Sequence, residues 1–249
     1  MSTRVASLEI SFKKNGFFGT IRIFYLYILH KFFFKQQIQY KGDKINLRPR
    51  TSDFVVFREI FMDHEYDLAL DRENKTIVDL GANIGISSLY FSRYYPGSII
   101  YALEADKENY SALVTNVKEK ENIIALHKAI WNDNIPVFIE NNSSHWARKV
   151  SEVHKEGNDV PGVTLEKLMT DYNITRIHIL KVDIEGSEIQ LFQYLRKEKH
   201  LLKKVDNIIV ETHDWNTPGC SKAVFDCLSE VKYNLFITGE KFLIKLINE

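Results

Sequence analysis

"TIVDLGANIGISSLYF", residues 76–91, opens as an apolar run, breaks at Gly81 and Gly85, and resumes with apolar residues at helical spacing. A buried strand that turns tightly into a helix is the opening unit of a parallel sheet covered by helices. The pattern then recurs. Apolar runs near 99–104, 123–130, 178–183, 207–212, 234–238 and 242–247 are joined, in most cases, by helical segments near 85–94, 107–120, 164–171, 187–197 and 221–231. The last two runs are separated only by "TGEK", a hairpin-length link, so the final strand is predicted antiparallel to its neighbour. The expected fold is α/β: a Rossmann-like seven-stranded sheet, mostly parallel with the last strand antiparallel, and helices on both faces.

With 249 residues, 45% of them hydrophobic, the chain can bury one sizeable core plus an appendage. Residues 1–70 read as an N-terminal segment and preface, and residues 71–249 as the main domain. Lysine plus arginine and aspartate plus glutamate both number 33, which leaves no overall field to recruit nucleic acid or an acidic membrane. The two cysteines, Cys220 and Cys227, lie two helical turns apart and are predicted to be reduced thiols of a cytoplasmic protein. "GFFGTIRIFYLYILHKFFF", residues 16–34, is strongly aromatic, but Arg22, His30 and Lys31 leave no clean run long enough to span a bilayer. A helix packed on its own domain is the preferred reading. The alternatives are a helix lying against the inner face of a membrane through residues 16–35, and a true anchor. "IQYKGDKINLR" (38–48) reads as a hairpin and "TSDFVVFREIFMDHEYDL" (51–68) as a helix capped by Thr51, Ser52 or Asp53. Residues 131–162 are polar and turn-rich, which suggests a short hairpin and a mobile loop.

In an open parallel sheet, ligands sit beyond the carboxyl ends of the strands, and the first strand's exit loop is usually there. That loop is "DLGANIG". It lacks both the G-x-G-x-x-G of a dinucleotide site and the G-K-S/T of a phosphate loop, so the ligand is not expected to be held by phosphates. Asp79 suits a ligand with a positive centre, directly or by fixing the loop, and the backbone amides near 82–86 are expected to face it. Glu104 ends the second strand 19 residues after Gly85, where a carboxylate can take both hydroxyls of a ribose. A cationic, ribose-bearing ligand without phosphates is S-adenosylmethionine. Asp79, Gly81, Ala82, Asn83 and Gly85 are therefore assigned to its aminoacyl side, Glu104 to the ribose, and Ala129 with Ile130 to the adenine.

Two further strand ends carry charge. In "IHILKVDIEGSEIQLF" Lys181, Asp183 and Glu185 alternate onto one face, so they pair with one another or open on a cleft. "NIIVETHDW" puts Glu211 and His213 on one face at the same sheet edge. Carboxylates and an imidazole converging there suit proton removal from a nucleophile. His213 is the first candidate for general base and Asp183 the second, with Glu185 and Glu211 as orienting groups. Asp183, Glu185 and Glu211 could instead hold a divalent cation, but no metal is assigned to the site.

These residues together resemble the FkbM-type S-adenosylmethionine-dependent methyltransferases, over about residues 46–240. "TSDFVVFREIF" with Tyr66 looks like that family's preface, "VDLGANIGISS" its cofactor loop, "ALEAD" its ribose acid, "KVDIEGSE" its fourth-strand motif and "VETH" its fifth-strand end. Ala105 stands where a proline often follows the ribose acid. The resemblance implies methylation of hydroxyl groups on sugars, polyketides or other small molecules, in polysaccharide or secondary-metabolite biosynthesis, and it does not require a metal. Three alternatives stay open. A nucleic-acid methyltransferase usually shows N/D-P-P-Y where this chain has "DIEG"; a nicotinamide dehydrogenase would need the missing glycine turn; and a non-catalytic scaffold could recruit partners through the aromatic amino terminus. Residues 141–149, with Trp146, are expected to cover a small-molecule or glycan acceptor.

Overall fold

The computed structural model describes residues 36–139, 150–151 and 159–247 apart from Ala69 and Glu73. The aromatic segment 16–34 and the proposed acceptor loop 141–149 lie outside these residues. The chain divides into two compact units, residues 1–71 and 72–249.

In the first unit, β1 (Gln36–Tyr40) and β2 (Asp43–Leu47) form an antiparallel hairpin, followed by α1 (Asp53–Phe57), which runs on as a π-helical turn over Arg58–Met62. Its apolar side joins Ile45, Leu47, Phe54, Phe57 and Phe61, all essentially inaccessible to water. Of the three expected caps, Thr51 is the one used. Asp53 is buried and its carboxylate is forked by Arg48, through Nε at 3.0 Å and Nη2 at 2.9 Å, while the Asp53 amide donates to Thr51 Oγ1. The helical stretch also ends at Met62, short of the single helix expected over residues 51–68.

The second unit is built on seven strands: β3 (Thr76–Leu80), β4 (Ile99–Glu104), β5 (Ile123–His127), β10 (Ile177–Val182), β11 (Val205–Glu211), β12 (Tyr233–Thr238) and β13 (Lys241–Leu246). Their order is β12-β13-β11-β10-β3-β4-β5. Neighbours from β11 to β5 are parallel, and β13 is antiparallel to both β11 and β12, as the short "TGEK" link required. The central strands are buried on both faces, which explains their continuous apolar runs. Helices α2 (Ile86–Tyr94), α3 (Lys107–Val117), α4 (Leu165–Asp171), α5 (Glu188–Lys197), α6 (Lys199–Leu202) and α7 (Cys220–Leu228) supply the crossovers. On α7 the buried set is Cys220, Ala223, Val224, Cys227 and Leu228, the i, i+3, i+4, i+7, i+8 stripe of a core-facing helix. Both thiols are free and buried, and burial pushes each up to about 12.

The apolar run 123–130 is not one strand. It breaks at Lys128, and β6 (Ala129–Ile130) leaves the main sheet to pair with β9 (Asp159–Val163), in a small sheet with β7 (Pro136–Ile139) and β8 (Val150–Ser151). Strand order reverses at β3: the chain runs outward through β4 and β5, then returns to β10 on the other side. A crevice must open at such a point, above the carboxyl ends of β3 and β10.

The turn out of β3 depends on Gly81, whose φ is +73°. A Cβ there would lie 1.8 Å from the backbone oxygen of Asp183, so the two exit loops touch backbone to backbone. Gly81→Ala is expected to cost at least about 2 kcal/mol from the left-handed conformation alone, with the collision added. Urea unfolding of the purified variant checks this; a loss below 0.5 kcal/mol, about the scatter of surface substitutions, would show that the loops are not locked together.

Candidate active site

The pocket at the reversal point is lined by Gly81, Asn83, Leu103, Glu104, Ala105, Asp106, Asn109, Lys128, Ala129, Ile130, Ile139, Asp183, Ile184, Glu185 and Ser187. It unites Gly81, Asn83, Glu104, Ala129 and Ile130, all assigned from sequence to the cofactor, with Asp183 and Glu185. Asp79, Ala82 and Gly85 do not line it. Asp79 lies beneath the loop, fully buried, and its Oδ2 accepts from Ser87 and Ser88 hydroxyls at 2.6 Å each. Its other oxygen sits 3.1 Å from Lys181 Nζ. Direct contact with a ligand is thus excluded for Asp79, and its work is to fix the loop. Gly85 serves packing: a Cβ there would meet Leu113 of α3 at 2.7 Å.

The loop amides also differ from expectation. Those of Gly81 and Ala82 donate to Leu103 O, that of Asn83 to Glu104 Oε2 at 2.8 Å, and that of Gly85 to Ala82 O. These four are spent inside the protein. Side-chain oxygens of Glu104 and Asn83 remain available at the pocket. Glu104 accepts one backbone N–H on each oxygen, from Asn83 and from Asp106, which leaves lone pairs on both. Burial raises its pKa to about 7 against the lowering effect of those two bonds. Asn83 Oδ1 is buried and has no hydrogen-bond partner.

Lys181 ties the pocket floor together. It is 2% exposed, cross-strand from Asp79, and donates to the carbonyl of Gly81 at 2.7 Å and of Leu80 at 3.3 Å. Its Nζ is also 3.5 Å from Asp183 Oδ2. Of the two readings of the charged fourth strand, pairing therefore accounts for Lys181, while Asp183 and Glu185 still reach the open pocket.

Beside the pocket lies the cluster around His213. The imidazole is 3% exposed; Nδ1 is 2.8 Å from Glu188 Oε1, and Nε2 is 3.6 Å from Asp183 Oδ1, 3.6 Å from Glu185 Oε2 and 3.8 Å from Glu211 Oε1. Burial by itself would lower the imidazole pKa, but the Glu188 bond and the charges of Asp183 and Glu185 outweigh it and lift the value to about 9. A value lifted this far favours the imidazolium of His213, which weighs toward Asp183, the second candidate, as the proton acceptor. Burial, with the charges of Asp183, Glu211 and Glu188, raises Glu185 to about 8, and burial with Asp183 raises Glu211 as well. Asp183 goes the other way: burial opposes ionisation, but Lys181, Lys241 and His213 hold its pKa below the ordinary value. Lys241, cross-strand from Glu211, reaches Glu211 Oε2 at 3.0 Å.

Glu188 was not singled out from the sequence. Its signal was present, since Glu188, Leu191, Phe192 and Leu195 form one buried helical face and an acid on that face needs a partner. Lys241 was missed because only the register of the β11–β13 pair brings it to Glu211.

A family model described as the methyltransferase FkbM domain matches residues 79–235. The chain belongs to that family. Among curated proteins, this FkbM methyltransferase is 28% identical over 189 residues to "Methyltransferase 1" of Beauveria bassiana, covering 64% of this chain and 73% of that protein. It is likewise 28% identical over 216 residues to "Methyltransferase sdnD" of Sordaria araneosa, covering 72% and 82%. Among solved structures it is similar to the FkbM methyltransferase of Methylobacillus flagellatus KT, with a TM-score of 0.50 and 13% identity over 76% of this chain. That match spans 47% of the other chain, about half its length, and it supports the fold alone. The family's cofactor is S-adenosylmethionine, and the pocket fits it: acceptors on Glu104 for a diol, an unpartnered Asn83 Oδ1 for an ammonium donor, and apolar Ala129 and Ile130 for a ring.

Two measurements follow. Lys181→Met strands the buried Asp79 carboxylate and is expected to cost about 3–5 kcal/mol in urea unfolding, while adding Asp79→Asn recovers part of the loss. Equal losses for the single and double variants would break this account. His213 and Glu185 both have folded-state pKa values above their ordinary ones, at about 9 against 6.5 and about 8 against 4.5. Each therefore contributes stability that is complete below its ordinary pKa and is lost as pH rises through the folded value. The melting temperature is expected to fall between pH 7 and 9.5, and His213→Gln to flatten that fall. A wild-type curve that stays level to pH 9.5 would contradict the assigned charges.

Proposed function

We propose that this methyltransferase acts on a hydroxyl oxygen of a sugar or another small-molecule natural product. The observation that carries the reading is Asp183: it lines the pocket and is kept ionised by the cations of Lys181, Lys241 and His213. A hydroxyl group must shed its proton as its oxygen gains a methyl, so a carboxylate held ionised at the pocket suits this acceptor. S-adenosylmethionine supplies an electrophilic methyl on a sulfonium, which an oxygen can attack in line. Glu104 holds the ribose hydroxyls, Asn83 Oδ1 the ammonium, and Ala129 with Ile130 the adenine. Asp183 takes the hydroxyl proton, and Glu185, uncharged at neutral pH, and Glu211 orient the acceptor. The imidazolium of His213 fixes these carboxylates. Most of the rate comes from aligning donor and acceptor, which is worth about 7–11 kcal/mol in well-oriented systems.

Equal numbers of basic and acidic residues support a small acceptor over a nucleic acid, whose backbone demands a cationic track. Among the described residues no helix is long and apolar enough to cross a membrane.

Calorimetric titration with S-adenosylhomocysteine is expected to show one site in the wild type and about tenfold or greater weakening in Glu104→Ala, which removes both ribose acceptors. With a panel of sugar and phenolic hydroxyl acceptors, Asp183→Asn is expected to keep that binding and lose about 10²–10⁴ in kcat. Turnover of amine acceptors alone, or an undiminished kcat in Asp183→Asn, would refute the oxygen-directed reading.

A further inference from the structure

We propose that Asp183 Oδ1, Glu211 Oε1 and His213 Nε2, with Glu185 as a fourth ligand, form a binding site for a first-row divalent cation of the Mn²⁺ type. One ligand atom from each of Asp183, Glu211 and His213 lies within 4.8 Å of the other two. From His213 Nε2 the carboxylate oxygens of Asp183, Glu185 and Glu211 stand at 3.6, 3.6 and 3.8 Å. A charged imidazole hydrogen bond would close to about 2.7–2.9 Å, and none of these does. Nε2 of a side chain that is 97% buried thus points into the cluster at ion-pair distance but without a hydrogen bond, and Glu185 Oε2 beside it is buried and also has no hydrogen-bond partner. Ligands about 2.0–2.2 Å from one metal stand roughly 3–4.3 Å apart, so small inward shifts complete the sphere.

The second support lies behind the ligands. Each of the three is anchored through the atom it does not present to the cluster. Asp183 has Oδ2 facing Lys181 at 3.5 Å, Glu211 has Oε2 on Lys241 at 3.0 Å, and His213 has Nδ1 on Glu188 at 2.8 Å. Outer groups that orient imidazole and carboxylates in this way are the usual surroundings of a metal, and a hydrogen-bonded mesh would have no need to turn three atoms to one point without closing a hydrogen bond between them. One imidazole nitrogen among carboxylates favours Mn²⁺ or a neighbouring metal over Ca²⁺ or Mg²⁺, which prefer all-oxygen shells. The role of the ion rests on the methyl-transfer reading: binding would displace the His213 proton, and the ion, beside the pocket, would take the acceptor's oxygen as a ligand and favour loss of its proton in place of proton removal by Asp183. Its existence does not depend on that reading.

The test uses the full-length protein, stripped with a chelator and titrated with MnCl₂ alone, followed by calorimetry and by electron paramagnetic resonance. Saturable binding at one site is expected, weakened about tenfold or more by Asp183→Asn and by Glu211→Gln. Asp226→Asn, which alters an acid on α7 paired with Lys222 outside the cluster, is expected to bind as the wild type does. S-adenosylhomocysteine is titrated into the same samples. A wild type that binds it but shows no saturable Mn²⁺ uptake below about 1 mM overturns the cation site, as does equal Mn²⁺ binding by all variants. Mn²⁺ binding without S-adenosylhomocysteine binding supports the cation site and overturns the methyl-transfer reading. Should Asp183→Asn fail to fold, spin-echo modulation from an imidazole nitrogen in the wild type decides: its presence supports ligation by His213, and its absence overturns it.

Discussion

The second unit turns on one buried cation. Lys181 sits where strand order reverses, and its ammonium group satisfies two carbonyls of the neighbouring exit loop while balancing Asp79 below and Asp183 above. A lysine in that position would be prohibitively costly without such partners, because desolvating its charge costs several kcal/mol. With them it does what no neutral residue could: it holds two adjacent strand exits at one height and keeps the upper carboxylate ionised. Gly81 completes the arrangement by contributing no side chain where the Asp183 carbonyl must pass. The position of the pocket floor, and the charge that faces into it, therefore share a single origin.

Four acids sit close together at these strand ends, and environment sorts them. Asp183 has three cations near it and stays ionised; Glu185 has a buried carboxyl group and three acidic neighbours, and holds its proton. Glu104 is separated from that group and bonded to two amides, yet burial still lifts it toward neutrality. Side chains of the same chemical type thus carry different charges within one pocket, which is how a single site can accept a proton at one point and hold neutral donors at another.

Most of the main sheet was legible because its central strands are buried on both faces and its helices on one, so hydrophobic period reports them directly. The single antiparallel strand followed from a link too short for a crossover. Failures came where tertiary pairing overrides local pattern. The run 123–130 is continuous in hydrophobicity, but Lys128 divides two strands that belong to different sheets. Asp79 reads like a ligand-facing acid, and only the partners Ser87, Ser88 and Lys181 reveal it as internal. The amides of Gly81, Ala82 and Asn83 look free in a glycine-rich turn because their acceptors, Leu103 and Glu104, come from the next strand. The charge state of His213 was equally hidden, since it depends on Glu188, a residue 25 positions away.

The cysteine pattern has a practical side. Both thiols of the chain face the core from α7, and burial keeps them protonated well beyond neutral pH. Thiolate is the reactive species, so maleimides, iodoacetamides and mild oxidants find nothing to attack in the folded protein. The natural sequence is thereby a silent background for labelling: a single cysteine introduced at an exposed position would be the one site to take a fluorophore or spin label, with no need to remove the native pair.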